Sequence, residues 1–137
     1  MPITVRPITA DTCLPLRQKT LWPDRPLDFL RIEGDEQAQH YGLYLDDALV
    51  SCLSVFSLTN TARQIRKFAT DAAFQRQGYG SRLLTEVLEK LQAEGINDIT
   101  LNARLTATAF YVRFGFQVAG EVCHKEGVDY VKMTKTR

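Results

Sequence analysis

The chain has 137 residues, of which 45% are hydrophobic, a length that favours one domain with a buried core over two of ordinary size. Lys and Arg number 17 and Asp and Glu number 16, a net charge of +1 without long runs of like charge, so a nucleic-acid partner and a membrane surface are disfavoured. Every apolar stretch is far shorter than the roughly 18 residues of a membrane span, and the opening residues do not resemble a secretory signal, so we expect a cytoplasmic protein.

The first third of the chain predicts a strand followed by a helix. Alternating apolar residues over 3–8 predict the strand, and Asp11 or Thr12 is expected to cap a helix that runs to about Trp22. Two prolines then end the helix, and a second, short helix is expected around 27–32.

The next part of the chain predicts an antiparallel meander. Apolar alternation over 40–45, a turn at 46–47 and a mostly apolar stretch over 48–56 predict a hairpin. A third strand is expected over 64–70, after another turn. This strand leads directly to a glycine-containing loop.

The second half of the chain predicts a strand crossover. Leucines and a valine recur at helical spacing over 83–91, with charged residues on the opposite side, and a glycine ends this helix. A strand over 96–102 follows, which implies a right-handed crossover and a parallel strand pair. A second amphipathic helix over 107–114 and a hairpin of 116–123 with 128–134 complete a mixed α/β fold.

The three cysteines do not predict a metal or disulfide site. Cys13, Cys52 and Cys123 are odd in number and lack the Cys-x-x-Cys spacing of such frameworks, so we expect reduced thiols and no bound metal. Cys123 precedes His124, but adjacent side chains of a strand point to opposite faces, which disfavours a nucleophile and base pair.

The loop between the third meander strand and the long helix has features of an anion site. Its glycines let backbone approach a ligand closely, and the free N–H groups and positive dipole end of a helix N-terminus suit a pyrophosphate. Leu83 replaces the third glycine of the dinucleotide fingerprint and no Gly-Lys-Ser/Thr follows, so neither that fingerprint nor a nucleotide P-loop is indicated. The loop reads Gln75-Arg76-Gln77-Gly78-Tyr79-Gly80-Ser81.

This Gln-x-x-Gly-x-Gly segment resembles the acetyl-CoA pyrophosphate loop of the GNAT superfamily of N-acetyltransferases. Two flanking segments are also similar to motifs of that family: Arg66-Lys67-Phe68-Ala69-Thr70 before the loop, and Ala107-x-x-Phe110-Tyr111-x-x-Phe114-Gly115-Phe116 after it. The similarity covers 64–120 well, and the order of predicted elements also agrees. It implies one GNAT-like acetyltransferase domain over 1–137, with an antiparallel meander and a parallel, splayed strand pair flanked by helices.

The resemblance also implies a function. A GNAT-like chain is expected to be an acetyl-CoA-dependent N-acetyltransferase that moves an acyl group from coenzyme A to a primary amine by direct transfer in a ternary complex. We favour a small-molecule amine over a protein tail because the sequence lacks a long charged groove. A homodimer stays open, since many members dimerise through the meander or the terminal strands. The expected coenzyme A contacts are Phe68, Ala69, Thr70, Gln75, Arg76, Gln77, Gly78, Tyr79, Gly80, Ser81, Asn102, Arg104 and Phe110.

Tyr111 is the predicted catalytic residue. It stands where the family commonly places a general acid for the coenzyme A thiolate, and a phenol with a pKa of about 10 suits that role. The buried stripe of an amphipathic helix accounts for Phe110 and Phe114 equally simply. Arg104 stands where many relatives carry a cofactor-contacting Asn, so it is expected to make an altered cofactor contact, to reach a phosphate or acidic substrate, or to form a surface salt bridge.

The sequence does not nominate a general base. Some relatives carry a carboxylate on the strand before the loop, where this chain has Arg66 and Lys67. The remaining candidates are each expected to be solvated surface groups: Glu33, Asp35, His40, Glu121 and His124. The alternative function is a non-catalytic acyl-CoA sensor, which needs the phosphate loop but no proton donor such as Tyr111.

Overall fold

The computed structural model describes residues 2–136, which form a seven-stranded mixed sheet with helices on both faces. The strands are β1 (Ile3–Ile8), β2 (Gln39–Leu45), β3 (Ala48–Ser57), β4 (Ala62–Thr70), β5 (Asp98–Arg104), β6 (Gln117–Lys125) and β7 (Val128–Thr136). The helices are α1 (Ala10–Leu21), α2 (Tyr79–Ala93) and α3 (Thr108–Val112), with 3-10 turns at Leu27–Leu30, Ala72–Phe74 and Leu105–Ala107. The strand order is β1-β2-β3-β4-β5-β7-β6. Within the described residues, none of the helices has the length and apolarity to cross a membrane.

The first helix begins earlier than predicted. Thr9 caps α1, since its hydroxyl accepts the N–H of Thr12 at 3.2 Å, so the expectation of Asp11 or Thr12 as the cap is wrong. Thr12 already lies in the first helical turn and supplies the donor that the cap satisfies. The expected second helix is a single 3-10 turn, Leu27–Leu30.

The two helical faces of the sheet follow from strand alternation. Adjacent residues Cys52 and Leu53 of β3 point to opposite faces, and they belong to two separate buried clusters. We call the side of the sheet that packs against α1 the α1 face and the side that packs against α2 the α2 face. Cys52 lies on the α1 face, and Leu53 lies on the α2 face, where it belongs to the same buried cluster as the apolar stripe of α2. That stripe is buried along the helix and consists of Leu83, Leu84, Val87, Leu88 and Leu91. Its burial stabilises the fold by about 1.5–3 kcal/mol per side chain and fixes the N-terminus of α2 beside the end of β4.

The predicted splayed pair is confirmed. The parallel pairing of β4 with β5 runs only from Ala62 opposite Asp98 to Ile65 opposite Leu101, and beyond it the two strands separate. A β-bulge lies in β4 just past this point, where Lys67 and Phe68 together face Leu53 of β3. The pairing therefore ends in an opening bordered by 66–70.

The chain closes in a hairpin of β6 and β7, as predicted. The helix expected over 107–114 is shorter, because Ala107 belongs to a 3-10 turn and residues 113–115 form a turn, so that α3 spans Thr108–Val112. Gly115 ends the segment with a φ of +94°, a left-handed conformation that glycine adopts without a steric penalty.

Candidate active site

The loop before α2 presents a row of free backbone donors. The first helical hydrogen bond of α2 runs from the Arg82 N–H to the Gly78 carbonyl at 3.0 Å. The amide N–H groups of 76–81 precede it and have no acceptor anywhere in the described part of the chain. Positive φ values at Arg76 (64°) and Gly78 (86°) turn the backbone through this segment. Unpaired N–H groups at the positive end of a helix bind phosphate oxygens.

The two glycines of the loop contribute differently. A Cβ added to Gly80 would lie 3.0 Å from the Thr70 hydroxyl and 3.4 Å from the Phe68 ring, so the loop packs closely on the end of β4. A Cβ added to Gly78 would meet nothing within 4 Å, so the outer surface of the loop is bare backbone. Gln75 supports this arrangement by donating its side-chain N–H to the Thr70 carbonyl at 3.0 Å. A pyrophosphate therefore fits the loop in both charge and shape.

An aromatic wall connects the loop to α3. The Tyr111 ring lies 6.4 Å from Phe68, 5.2 Å from Phe110 and 5.9 Å from Phe116. Burial raises the pKa of Tyr111 to about 12, so its phenol keeps its proton throughout the neutral range. The hydroxyl has no hydrogen-bond partner within 2–136, yet it is not sealed from solvent. It is thus available to a bound ligand.

The opening between β4 and β5 lies beside this wall. Past Ile65 the β5-facing edge of β4 has no paired strand, so polar backbone groups of 66–70 are left for a ligand. The Ala69 side chain is only 2% exposed and packs under α1, so this residue can contribute only its backbone. Thr70 shares a hydrogen bond of 2.9 Å with the Ser51 hydroxyl.

The structure brings most of the predicted site residues together, but not all. Phe68, Phe110 and Tyr111 belong to the α2 face, beside the loop of 75–81. Ala103 is buried in that same face, so its neighbours Asn102 and Arg104 point to the α1 face. The Arg104 guanidinium donates to the Leu21 carbonyl at 3.3 Å, on the far side of the sheet from the loop.

A buried polar network beneath α1 was missed by sequence reasoning. Arg17 is fully buried and donates to both carboxylate oxygens of Asp35 at 3.0 Å, and to the Leu30 carbonyl and the Ser54 hydroxyl at 2.9 Å. His40 lies 2.6 Å from the Ser54 oxygen through Nδ1 and 2.8 Å from the Asp35 carbonyl through Nε2. A carbonyl only accepts, so His40 donates from Nε2 to the Asp35 carbonyl, and Nδ1 shares a hydrogen bond with the Ser54 hydroxyl.

This network corrects two expectations and removes one candidate base. Asp35 and His40 are 7% and 4% exposed, so the expectation that both are solvated surface groups is wrong. Both His40 nitrogens are already engaged, which leaves neither free to take a proton from a substrate. One sequence signal does point to the network: Arg17 stands at helical spacing in the apolar stripe with Cys13 and Leu16.

A recess of about 500 Å³ lies away from this site. It is enclosed by the C-terminal half of α2, the start of β5 and the end of β7, and Leu88, Ile96 and Phe114 form part of its lining. The loop of 75–81 and Tyr111 do not contribute to it. We therefore locate the candidate site at the splayed strands, where the free donors and the phenol converge.

Comparison with known proteins gives consistent matches. A family model described as the acetyltransferase (GNAT) domain matches residues 28–137. The uncharacterized N-acetyltransferase YitI of Bacillus subtilis is 27% identical over 144 aligned positions, which cover 98% of this chain and 96% of YitI. The solved structure of Escherichia coli ElaA has a TM-score of 0.84 at 19% identity and covers 98% of this chain and 99% of its own. A GNAT family acetyltransferase from Elizabethkingia anophelis, solved with acetyl-CoA bound, has a TM-score of 0.75 at 20% identity, with 98% of both chains covered.

Proposed function

The chain belongs to the acetyltransferase (GNAT) family, whose acyl donor is acetyl-CoA, and we propose from this premise that it acetylates the primary amine of a small molecule. We also propose that residues 1–137 form one acetyltransferase domain and that transfer is direct, with both substrates bound together. The observation that carries the proposal is the convergence of the loop's free amides, the unpaired edge of β4 and the Tyr111 hydroxyl on one opening.

We assign acetyl-CoA binding to three parts of the chain. The amides of 76–81 hold the pyrophosphate, the free edge of β4 at 66–70 holds the extended arm, and Phe68 and Phe110 line the path between them. When bound there, acetyl-CoA supplies an activated acetyl thioester. A backbone N–H on the free edge of β4 is suited to stabilise the oxygen on which negative charge develops.

Tyr111 is assigned as the proton donor to the departing sulfur. Its pKa of about 12, raised by burial, keeps the phenol protonated. The same burial also raises the pKa of a coenzyme A thiol beside it, so a thiolate formed there accepts a proton more readily. The reaction forms one C–N bond and breaks one C–S bond, so the attacking nitrogen must lose its proton. With both His40 nitrogens engaged in the network, we assign that proton to solvent, which in turn returns one to the Tyr111 phenolate.

A calorimetric titration with acetyl-CoA and with desulfo-CoA tests the donor site. Gly78→Glu places a carboxylate over the loop and should abolish binding. Gly95→Glu is the matched control, because Gly95 has nearly the same φ (83° against 86°), equally open surroundings and a place just past the other end of α2. Binding that survives Gly78→Glu, or that both variants lose equally, would contradict the assignment.

Turnover of a Tyr111→Phe variant separates an enzyme from a sensor. The variant should bind acetyl-CoA normally and release coenzyme A at least about a hundredfold more slowly, the usual scale of general acid catalysis. Tyr44→Phe is the control, because Tyr44 lies on β2 and stacks with Arg6, far from the loop. Unchanged turnover in Tyr111→Phe would remove this residue from the chemistry.

A further inference from the structure

The α1 face of the opening carries basic side chains that lack acidic partners. Arg66 and Lys67 lie at the bulge of β4, Arg104 at the end of β5 and Lys125 at the end of β6. Within residues 2–136 none of these four side chains forms an ion pair. The opening therefore holds positive charge that the chain itself does not neutralise.

Several contacts locate these cations around one opening. Arg66 pairs in register with Ser54 of the buried network and lies 5.4 Å from the Phe56 ring, which puts it on the α1 face. Arg104 reaches the last turn of α1 on the same face. An ion pair of 2.9 Å between Arg25 and Glu126 joins the loop after α1 to the turn between β6 and β7, which brings the end of β6 to the same rim.

Lys67 is the most unusual member of the group. It is a half-buried non-glycine residue with a φ of +56°, a left-handed conformation that is strained for a residue with a side chain. Burial lowers the pKa of its ammonium, and repulsion from Arg66, Arg17, Lys125 and Arg104 lowers it further. Of these four neighbouring cations, Arg17 alone is paired with a carboxylate. A partly desolvated cation of this kind is stabilised by an anion.

We propose, on the basis of the function above, that the acceptor is an amine that carries its own carboxylate or phosphate, bound by Arg66, Lys67 and Arg104. The pyrophosphate loop lies on the α2 face, so these three cations on the α1 face are not placed to bind it. A guanidinium binds a carboxylate or phosphate through paired hydrogen bonds, which gives orientation as well as affinity.

The same positive charge has a second effect on the acceptor. A cation near an ammonium group disfavours its charged form, so the cluster promotes the neutral amine that must attack. This helps to explain how the site works without a carboxylate base on β4. The anionic end of the acceptor is attracted while its ammonium end is driven to lose a proton.

Two pairs of amines that differ in charge test the inference. O-phosphoethanolamine is compared with ethanolamine, and 4-aminobutyrate with 4-aminobutyramide, by calorimetric titration into protein saturated with desulfo-CoA and by coenzyme A release from acetyl-CoA. We expect the anionic member to bind and react at least about tenfold better in one or both pairs, an advantage that shrinks as salt is raised. Arg66→Gln and Lys67→Gln should each remove most of this advantage. The control is Lys90→Gln, which removes the same charge from the distant end of α2.

The outcomes separate the two levels of the proposal. Three results would overturn the inference: equal binding of the anionic and neutral members, no binding of any anionic probe, or an anion advantage that survives both glutamine variants. If acetyl-CoA still binds in these cases, the proposed function stands. If the glutamine variants instead weaken acetyl-CoA binding, the cations serve the donor and the inference is wrong. Absence of acetyl-CoA binding to the unmodified protein would overturn the proposed function and this inference together.

Discussion

Replacing Asp35 with alanine should destabilise the protein by about 3–5 kcal/mol, because the change leaves a buried guanidinium without its counter-charge. The carboxylate accepts two hydrogen bonds of 3.0 Å from Arg17 and a third of 3.0 Å from the Ile32 N–H. Arg17 is fully buried, so water cannot replace the lost acceptor. For a chain of this length the loss corresponds to a fall in melting temperature of roughly 10–17 °C.

Thermal unfolding followed by circular dichroism at pH 7 measures this effect. Asp28→Ala is the matched control, since Asp28 pairs with Arg31 at 3.1 Å on the exposed surface and its loss should leave the melting temperature nearly unchanged. A double variant with Arg17→Met and Asp35→Leu should recover much of the stability by removing both charges. If Asp35→Ala has the same melting temperature as the control variant, the buried pair does not stabilise the fold.

The same pair predicts how stability depends on pH. Burial opposes ionisation of Asp35, but hydrogen bonds from Arg17 and from the Ile32 N–H outweigh it and hold the pKa of this carboxyl below its ordinary value. A lowered pKa contributes stability that is fully present above about pH 4 and is lost as the pH falls through the folded-state value. Asp35→Asn should therefore unfold with a weaker dependence on pH below about 4. An acid unfolding profile identical to that of the unmodified protein would contradict this account.

Three further predictions concern the site and the thiols. Gly80→Ala should weaken acetyl-CoA binding by about tenfold, because the new methyl group would lie 3.0 Å from a neighbouring threonine hydroxyl and push the loop outward; calorimetry would refute this by giving an unchanged affinity. The pKa of about 12 for Tyr111 predicts that ionisation of this residue does not reduce turnover below roughly pH 11. A fall in turnover below about pH 10 that is absent in Tyr111→Phe would contradict this. In the folded protein a thiol reagent should modify Cys123 alone, since Cys13 and Cys52 are fully buried, and mass spectrometry showing early modification of either would argue against that packing.

Sequence patterns predicted the fold best where near neighbours in the chain determine the structure. The spacing of leucines predicted α2, and the strand-helix-strand order predicted the parallel pair of β4 and β5. Patterns missed features that depend on distant parts of the chain. The partner of Arg17 is Asp35, which is 18 positions away, and the strained conformation of Lys67 depends on the register of β4 against β3.

The candidate site shows the same division. The segment of 75–81 is contiguous, so its glycines together with the resemblance of the loop and its flanking motifs to the GNAT family predicted a phosphate loop, and the structure adds that its amides are free. The family resemblance predicted that Asn102 and Arg104 contact the cofactor together with that loop. Strand alternation puts both side chains on the opposite face of the sheet. The roles assigned to all of these residues stay predictions until the variants are measured.

The short parallel pairing of β4 with β5 also has a mechanical consequence. Strands β1 to β4 form one antiparallel unit and β5, β7 and β6 form another, and the strand pairing between the two units is limited to the stretch from Ala62 to Ile65. The buried cluster on the α2 face takes residues from both units, so packing, and not strand pairing, holds the slot between β4 and β5 open. A ligand that enters the slot therefore breaks no strand hydrogen bonds of the sheet.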